Sequence, residues 1–136
     1  MIVADTNVIA YLLISGERSS EAEQARSIDS DWAVPVLWKS EFNNVLALYI
    51  RKKLMTLDDA IELAEEAEKL IGENEYEVPA YRVLTLVDSS PRSAYDCEFV
   101  ALAQDLSVQL VTADTKVVNS FPDIAISLSD FVANNT

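Results

Sequence analysis

Short apolar runs alternate with longer segments of helical periodicity along this chain. The runs that predict strands are residues 1–4, 32–36, 76–78, 108–111 and 124–128. Between them, apolar residues recur every three or four positions, which is typical of helices that bury one face. The predicted helices are residues 8–14, 21–28, 37–53, 57–71, 79–87, a helix capped by Ser93 that runs to Leu106, 116–120 and 128–132. Strands that alternate with helices predict an α/β fold with a central parallel sheet of about five short strands flanked by helices.

Two of the predicted helices carry distinctive patterns. Residues 37–53 have a wide apolar band, which predicts burial on more than one side or contact with a partner helix. Residues 57–71 combine an apolar stripe with an acidic outer face, and Thr56 and Asp59 have the spacing of a capping box. We interpret the acidic face as solvated and assign it no chemistry. The apolar helices within residues 37–71 are the candidates for a dimer surface.

The composition predicts one core-forming domain over residues 1–136. Half of the residues are hydrophobic, and there are only two glycines and four prolines. Pro35 stands near the end of the second predicted strand, which should therefore be brief or lie near an edge of the sheet. The first apolar run ends at Asp5, so it is too short for a signal peptide, and no run approaches the roughly 20 apolar residues that span a bilayer. The single cysteine cannot form an internal disulfide, which fits a cytoplasmic protein.

The charge balance excludes several classes of function. Ten basic and 23 acidic residues give a net charge of −13, which argues against a protein that coats nucleic acid. The excess also suggests that some acids are held by metal ions or by a basic partner. There is no histidine, so catalytic triads, histidine-ligated zinc and histidine general bases are excluded. Chemistry must therefore come from carboxylates, hydroxyls, amides, lysine, arginine or tyrosine.

Four acidic residues stand at the ends of predicted strands or the starts of predicted helices. Asp5 follows the first strand and Asp114 follows the fourth. Asp96 opens the helix before the fourth strand, and Glu41 lies in the first turns of the helix after the second strand. Because ligands gather at the carboxyl ends of parallel strands, all four carboxylates can face one crevice.

Each of these positions also has a purely structural interpretation. Glu41 alone could simply complement its helix dipole. The first helix could be capped by Asn7 or Thr6, or by Asp5 together with Asn7. Ser93 with Asp96 could cap the helix that they open, and Asp114 the helix at 116–120. Thr112 is more often a strand residue than a ligand, and Tyr95 and Cys97 are interpreted as packing residues. The four acids point to chemistry only as a set.

Four neighbouring carboxylates cannot all remain ionised without a counter-charge. Divalent metal ions supply one, and ligands that are all oxygen favour Mg²⁺ or Mn²⁺. Such ions can activate water and stabilise the attacking and leaving oxygens of a phosphodiester.

In this order and spacing, the motifs resemble those of PIN-domain ribonucleases, the VapC-type toxins of type II toxin–antitoxin systems. The matching pieces are Val3-Ala4-Asp5-Thr6-Asn7, the segment 35–46 with Glu41 and Asn44, Ser93-Ala94-Tyr95-Asp96, Ala101-Leu102-Ala103 and Leu110-Val111-Thr112-Ala113-Asp114. The resemblance implies a PIN-like, Rossmann-like three-layer fold. It implies a catalytic metal site formed by Asp5, Glu41, Asp96 and Asp114, with Asn7 and Thr112 supporting it through hydrogen bonds.

The resemblance also implies partners and a reaction. It implies metal-dependent cleavage of single-stranded or structured RNA that inhibits translation, a homodimer, and a cognate antitoxin that blocks the site. The expected products carry 5′-phosphate ends. With so few basic residues, RNA binding would depend on local cations, and the candidates are Arg51, Lys52, Lys53, Arg92 and Lys116, with Lys39 as a further cation.

Other classes remain alternatives. A receiver-like phosphoacceptor domain would need an acidic pair after the first strand and an acceptor Asp after the third, and neither is evident. A haloacid-type phosphatase would need an acid where Asn7 stands. A PIN-type nuclease of RNA processing, or a catalytically silent PIN-like module that binds a partner, would share the fold.

Overall fold

The computed structural model describes residues 1–136 as five strands and eight α-helices that alternate in the predicted order. The strands are β1 (Ile2–Ala4), β2 (Trp32–Pro35), β3 (Glu75–Tyr76), β4 (Leu110–Thr112) and β5 (Ala125–Ser127). The helices are α1 (Thr6–Leu13), α2 (Ser19–Ile28), α3 (Trp38–Arg51), α4 (Leu57–Ile71), α5 (Ala80–Ser89), α6 (Ala94–Leu106), α7 (Thr115–Ser120) and α8 (Leu128–Asn134). Every predicted element is confirmed, with boundaries that shift by one or two residues.

The five strands form one sheet in the order β3-β2-β1-β4-β5, and every neighbouring pair is parallel. All residues of β1, β2 and β4 are buried, as expected for short apolar strands in a sheet covered by helices on both faces. The prediction from Pro35 is confirmed, because β2 has only four residues and lies next to the edge strand β3. Pro35 is tolerated there because it is the last residue of the strand.

The register of the sheet brings the two halves of the chain together. Val3 lies beside Leu110 and Ala4 beside Val111 in the pairing of β1 with β4. The pairing continues one step further, since the backbone N–H of Asp5 donates to the carbonyl of Val111 at 3.0 Å. Residues that follow β1 and β4 therefore emerge side by side at the carboxyl edge of the sheet.

Helix α6 is the most deeply buried helix that bears a candidate acid. It packs against β1, β2 and β4, and its residues 99–103 are all buried. The hydroxyl of Ser93 accepts a hydrogen bond from the N–H of Asp96 at 3.1 Å, which confirms Ser93 as the N-cap. Thr56 and Asp59 form the predicted capping box of α4.

Helix α1 corrects one capping prediction. Its N-cap is Asp5, whose carboxylate accepts from the N–H of Thr6 at 2.8 Å, and neither Thr6 nor Asn7 is the cap. Thr6 and Asn7 are instead the first two residues of the helix, which leaves their side chains available for other contacts.

The apolar band of α3 is buried on one side only. Trp38, Phe42 and Leu46 are in the core, whereas Leu48 is 49% exposed. Further exposed apolar side chains follow in the α3–α4 region, including Leu54 and Ile61. None of the helices combines the length and the apolar character that a bilayer-spanning segment needs.

Candidate active site

The four candidate acids line one cavity at the carboxyl edge of the sheet. The cavity has a volume of about 590 Å³, and we call it the acidic cleft. Asp5, Glu41, Asp96 and Asp114 are all among its lining residues. They reach it from β1, α3, α6 and the end of β4, so residues separated by more than a hundred positions in the sequence meet there.

Asp5 lies at the centre of the hydrogen-bond network of the acidic cleft. One carboxylate oxygen caps α1, and the other accepts from the Thr112 hydroxyl at 2.7 Å. Burial raises the pKa of Asp5 from 3.8 to about 7, and the negative charges of Glu41 and Asp96 add to the rise. The two hydrogen bonds oppose the rise without cancelling it. Asp5 is therefore a carboxyl group that the fold alone does not keep ionised at neutral pH.

Glu41 is held by a contact that the sequence analysis missed. The hydroxyl of Thr6, which is buried, donates to Glu41 Oε1 at 2.8 Å. Burial raises the pKa of Glu41, with smaller contributions from the charges of Asp96 and Glu98. The only signal in the sequence was the position of Thr6 between Asp5 and Asn7, and there Thr6 was considered only as a candidate N-cap.

Asp96 and Asp114 each combine a structural contact with a place in the cleft. The carboxylate of Asp114 caps α7 by accepting from the N–H of Lys116 at 2.9 Å. Burial raises the pKa of Asp96, the charge of Asp114 adds to the rise, and the positive charge of Arg92 opposes it. At Asp114 the capping interpretation and the functional one do not exclude each other, because this residue caps α7 and also faces the acidic cleft. Asp96 faces the cleft as well, but the cap of α6 is Ser93, to which Asp96 donates only its backbone N–H.

Asn7 and Thr112 connect the two strands behind the acids. Asn7 Oδ1 accepts from the N–H of Ala113 at 3.2 Å, and its Nδ2 lies 3.5 Å from the Thr112 hydroxyl. That hydroxyl also accepts from the N–H of Asp114 at 3.0 Å. Asn7 lines the acidic cleft, but Thr112 is fully buried behind Asp5 and does not. Thr112 can therefore act on chemistry only through the residues that it positions.

The lining of the acidic cleft supplies no positive charge to balance the acids, and the charge of Arg92 acts on Asp96 from outside the lining. The lining contains no lysine or arginine, and none of the five ion pairs in the structure includes one of the four acids. Their oxygen-only donor set and their mutual repulsion suit a hard divalent cation. As the side chains stand, however, no three of them are close enough together to hold one ion, so binding would require side-chain rotation.

The candidate RNA-binding cations all lie outside the lining of the acidic cleft. Arg51, Lys52 and Lys53 are exposed at the end of α3. Arg92 is half-buried, its charge acts on Asp96, and its Nε is buried without a hydrogen-bond partner. Lys116 is exposed in the first turn of α7.

Lys39 is already engaged away from the acidic cleft. It pairs with Glu68 at 3.0 Å and lies 3.7 Å from Glu75. It therefore cannot be counted as a free cation beside the four acids.

A larger cavity, of about 910 Å³, lies between α1, α3 and α4. Its lining includes apolar side chains such as Ile14, Tyr49 and Leu63, together with acids of α4. None of the four candidate acids reaches it, so its size does not make it the chemical site.

Comparisons with known proteins agree with this arrangement. The family model described as PIN domain matches residues 2–125. A curated relative, Ribonuclease VapC3 of Pyrobaculum aerophilum, is 29% identical over 124 residues, which cover 89% of this chain and 95% of that protein.

Two solved structures share the fold. The crystal structure of FitAcB from Neisseria gonorrhoeae matches with a TM-score of 0.72 and 18% identity, and the match covers 95% of this chain and 99% of that one. A toxin–antitoxin complex from Klebsiella pneumoniae matches with a TM-score of 0.69 and 20% identity, over 94% and 98% of the two chains. At these identities the structures are evidence for the fold.

Proposed function

This chain belongs to the PIN-domain family, and we propose that it is a metal-dependent endoribonuclease, the VapC-type toxin of a type II toxin–antitoxin pair. The observation that carries the proposal is the meeting of Asp5, Glu41, Asp96 and Asp114 in one cleft with no cation among them. The relative named Ribonuclease VapC3, which this chain matches over most of both lengths, supports an activity on RNA.

The four acids are the proposed ligands of Mg²⁺ or Mn²⁺. A bound divalent ion would activate water and stabilise the developing charge on a phosphodiester. The raised pKa of Asp5 fits this role, because a cation would favour the ionised carboxylate that the fold alone disfavours.

The remaining polar groups hold the acids in place. Thr6 fixes one oxygen of Glu41, which is thereby positioned to orient a water molecule or to bind a second ion. Thr112 fixes one oxygen of Asp5, and Asn7 ties the start of α1 to the residue after β4. Hydrolysis by a water molecule in line with the leaving 3′ oxygen would leave 5′-phosphate ends.

The proposed partners follow from the same family. They are an RNA substrate, a second copy of this chain and a cognate antitoxin that blocks the acidic cleft. The structural neighbour from Klebsiella pneumoniae is a toxin–antitoxin complex, which supports an antitoxin partner. Cleavage of RNA in the cytoplasm would inhibit translation.

The test is cleavage of total cellular RNA by the purified, antitoxin-free protein in Mg²⁺ and in Mn²⁺. The controls are a chelator and the Asp5→Asn variant. We expect cleavage that requires metal, leaves 5′-phosphates and is lost in the variant. Cleavage that persists in chelator and leaves 2′,3′-cyclic phosphates would contradict the mechanism. A wild-type protein that is metal-loaded but cleaves nothing would favour a silent binding module.

A further inference from the structure

Tyr95 is placed unlike a packing residue. Its side chain is 63% exposed, although the next residue but one, Cys97, is fully buried in the same helix. Tyr95 lines the acidic cleft and directly precedes Asp96 in the first turn of α6. The interpretation of Tyr95 as a packing residue is therefore wrong, and an aromatic ring stands at the mouth of the cleft beside a candidate catalytic acid.

The lining contributed by the α3 region differs in character from the acids. Leu37 and Val45 supply apolar surface, and Ser40 and Asn44 supply exposed polar groups. The acidic cleft therefore offers three kinds of surface, namely the four carboxylates, a mixed wall near α3, and one large aromatic ring. A nucleotide presents three matching parts, namely a phosphate, polar base edges and an apolar base face.

The electrostatics of the acidic cleft make this ring important. Proteins that bind nucleic acid usually gain affinity from lysine and arginine contacts to phosphate. This chain has a net charge of −13, and no basic side chain lines the cleft. Base stacking on an aromatic ring does not depend on charge and works with every base, because every base has a π-face.

We propose that Tyr95 is a stacking platform for one unpaired base next to the scissile phosphate. This inference rests on the proposed nuclease function and adds the residue that holds the base. A base within a duplex is already stacked on its neighbours, so a perfectly paired RNA cannot offer the face that Tyr95 binds.

The experiment measures kcat and KM for a short single-stranded RNA whose cleavage site has been mapped. Tyr95→Ala should raise KM by about tenfold or more, because loss of one base–aromatic stack weakens binding by this order. Tyr95→Phe should behave as wild type, since it keeps the ring. Tyr81→Ala is the matched control, because Tyr81 is also a tyrosine, is 70% exposed on α5 and does not line the cleft.

A second measurement shows which nucleotide is stacked. Removal of the base beside the cleavage site should cost wild type as much as Tyr95→Ala does, and should cost the variant little more. The same RNA annealed to its complement should not be cleaved. Equal KM values for Tyr95→Ala and Tyr81→Ala in an active enzyme would overturn the stacking role and leave the nuclease function standing. A change in oligomeric state with unchanged KM would assign Tyr95 to a protein contact and also overturn it.

Failure of the proposed function itself would be recognised separately. If the wild type cleaves no RNA, binding is measured with single-stranded RNA that contains 2-aminopurine, whose fluorescence is quenched by stacking. Quenching by wild type and Tyr95→Phe but not by Tyr95→Ala would support the platform in a protein that only binds RNA. Absence of quenching would overturn it.

Discussion

The molecule has two acidic regions, and they differ in what surrounds the carboxylates. The outer face of α4 carries six exposed acids, which are Asp58, Asp59, Glu62, Glu65, Glu66 and Glu68. The acidic cleft has only four, but these are half-buried and come from four separate segments. Helix α4 carries more acids, whereas the carboxylates of the cleft are more strongly destabilised in their ionised form by burial and mutual repulsion.

The contacts made in each region explain the difference. On α4, Asp59 closes a capping box and Glu68 pairs with Lys39, and the remaining acids are in solvent, which screens them. In the acidic cleft, burial and mutual repulsion raise the pKa of Asp5, Glu41 and Asp96, and no side-chain ion pair relieves them. Burial without a counter-charge, and not density of acids along the sequence, distinguishes a candidate metal site from a solvated face.

The largest expected effect is on catalysis. Asp96→Asn should lower kcat/KM for RNA cleavage by roughly a thousandfold, because it removes a charge proposed to act on the reacting groups. Asp58→Asn is the same substitution in the first turn of α4 and should leave cleavage unchanged. Similar losses in the two variants, measured on the same RNA, would contradict the assignment of catalysis to the cleft acids and not to the acids of α4.

The second effect is on stability, and here removing an acid of the cleft is expected to be favourable. In the metal-free protein, Asp5→Asn should raise the free energy of unfolding at pH 8 by about 2–4 kcal/mol, since each pKa unit corresponds to about 1.4 kcal/mol. The pKa of Asp5 is about 7 in the fold against 3.8 for the free group, so wild-type stability should fall as pH rises from about 4 to 7. Urea titrations at pH 4 and pH 8 measure both quantities. A variant less stable than wild type at pH 8 would show that the ionised Asp5 carboxylate does not destabilise the folded protein.

The third effect concerns metal. Mn²⁺ at about 100 times its dissociation constant should stabilise the wild type by about 2.7 kcal/mol, by mass action. Asp114→Asn should lose most of this gain, and Glu65→Gln on α4 should retain it. Thermal unfolding with and without chelator measures the gain. Equal stabilisation of both variants would place the ion away from the acidic cleft.

The smallest effect compares two N-caps. Thr56→Ala and Ser93→Ala should each cost about 1 kcal/mol of stability. Only Ser93→Ala should move the acidic limb of the pH–rate profile to higher pH, because the Ser93 hydroxyl lowers the pKa of Asp96. A profile that stays in place in Ser93→Ala would mean that ionisation of Asp96 does not limit cleavage.

Local sequence patterns were sufficient to predict the helices and strands. The apolar runs of β1 and β4, and the Thr56–Asp59 capping box, depend on residues close in sequence, and the structure has them as predicted. The convergence of the four acids was also predictable, because parallel strands place their carboxyl ends at one edge.

Contacts between distant segments were not predictable in the same way. The bond from Thr6 to Glu41 joins residues 35 positions apart and depends on how α1 packs beside α3. The exposure of Tyr95 is hidden in the sequence, because α6 is apolar almost all round and its pattern does not show which side is covered.

The pairing of β1 with β4 has a consequence for how this protein is made. Asp5 leaves the ribosome well before its partner Thr112, which lies 107 residues later in the sequence. Until that segment emerges, a nascent chain lacks β4, which is one of the two strands beside β1. It also lacks Thr112, which donates to Asp5, and Asp114, which lines the acidic cleft. An unfinished or prematurely terminated product would therefore lack the assembled cleft. For a protein proposed to cleave the RNA of its own cell, this order of assembly means that the nuclease site cannot form until the segment with Thr112 and Asp114 has been translated.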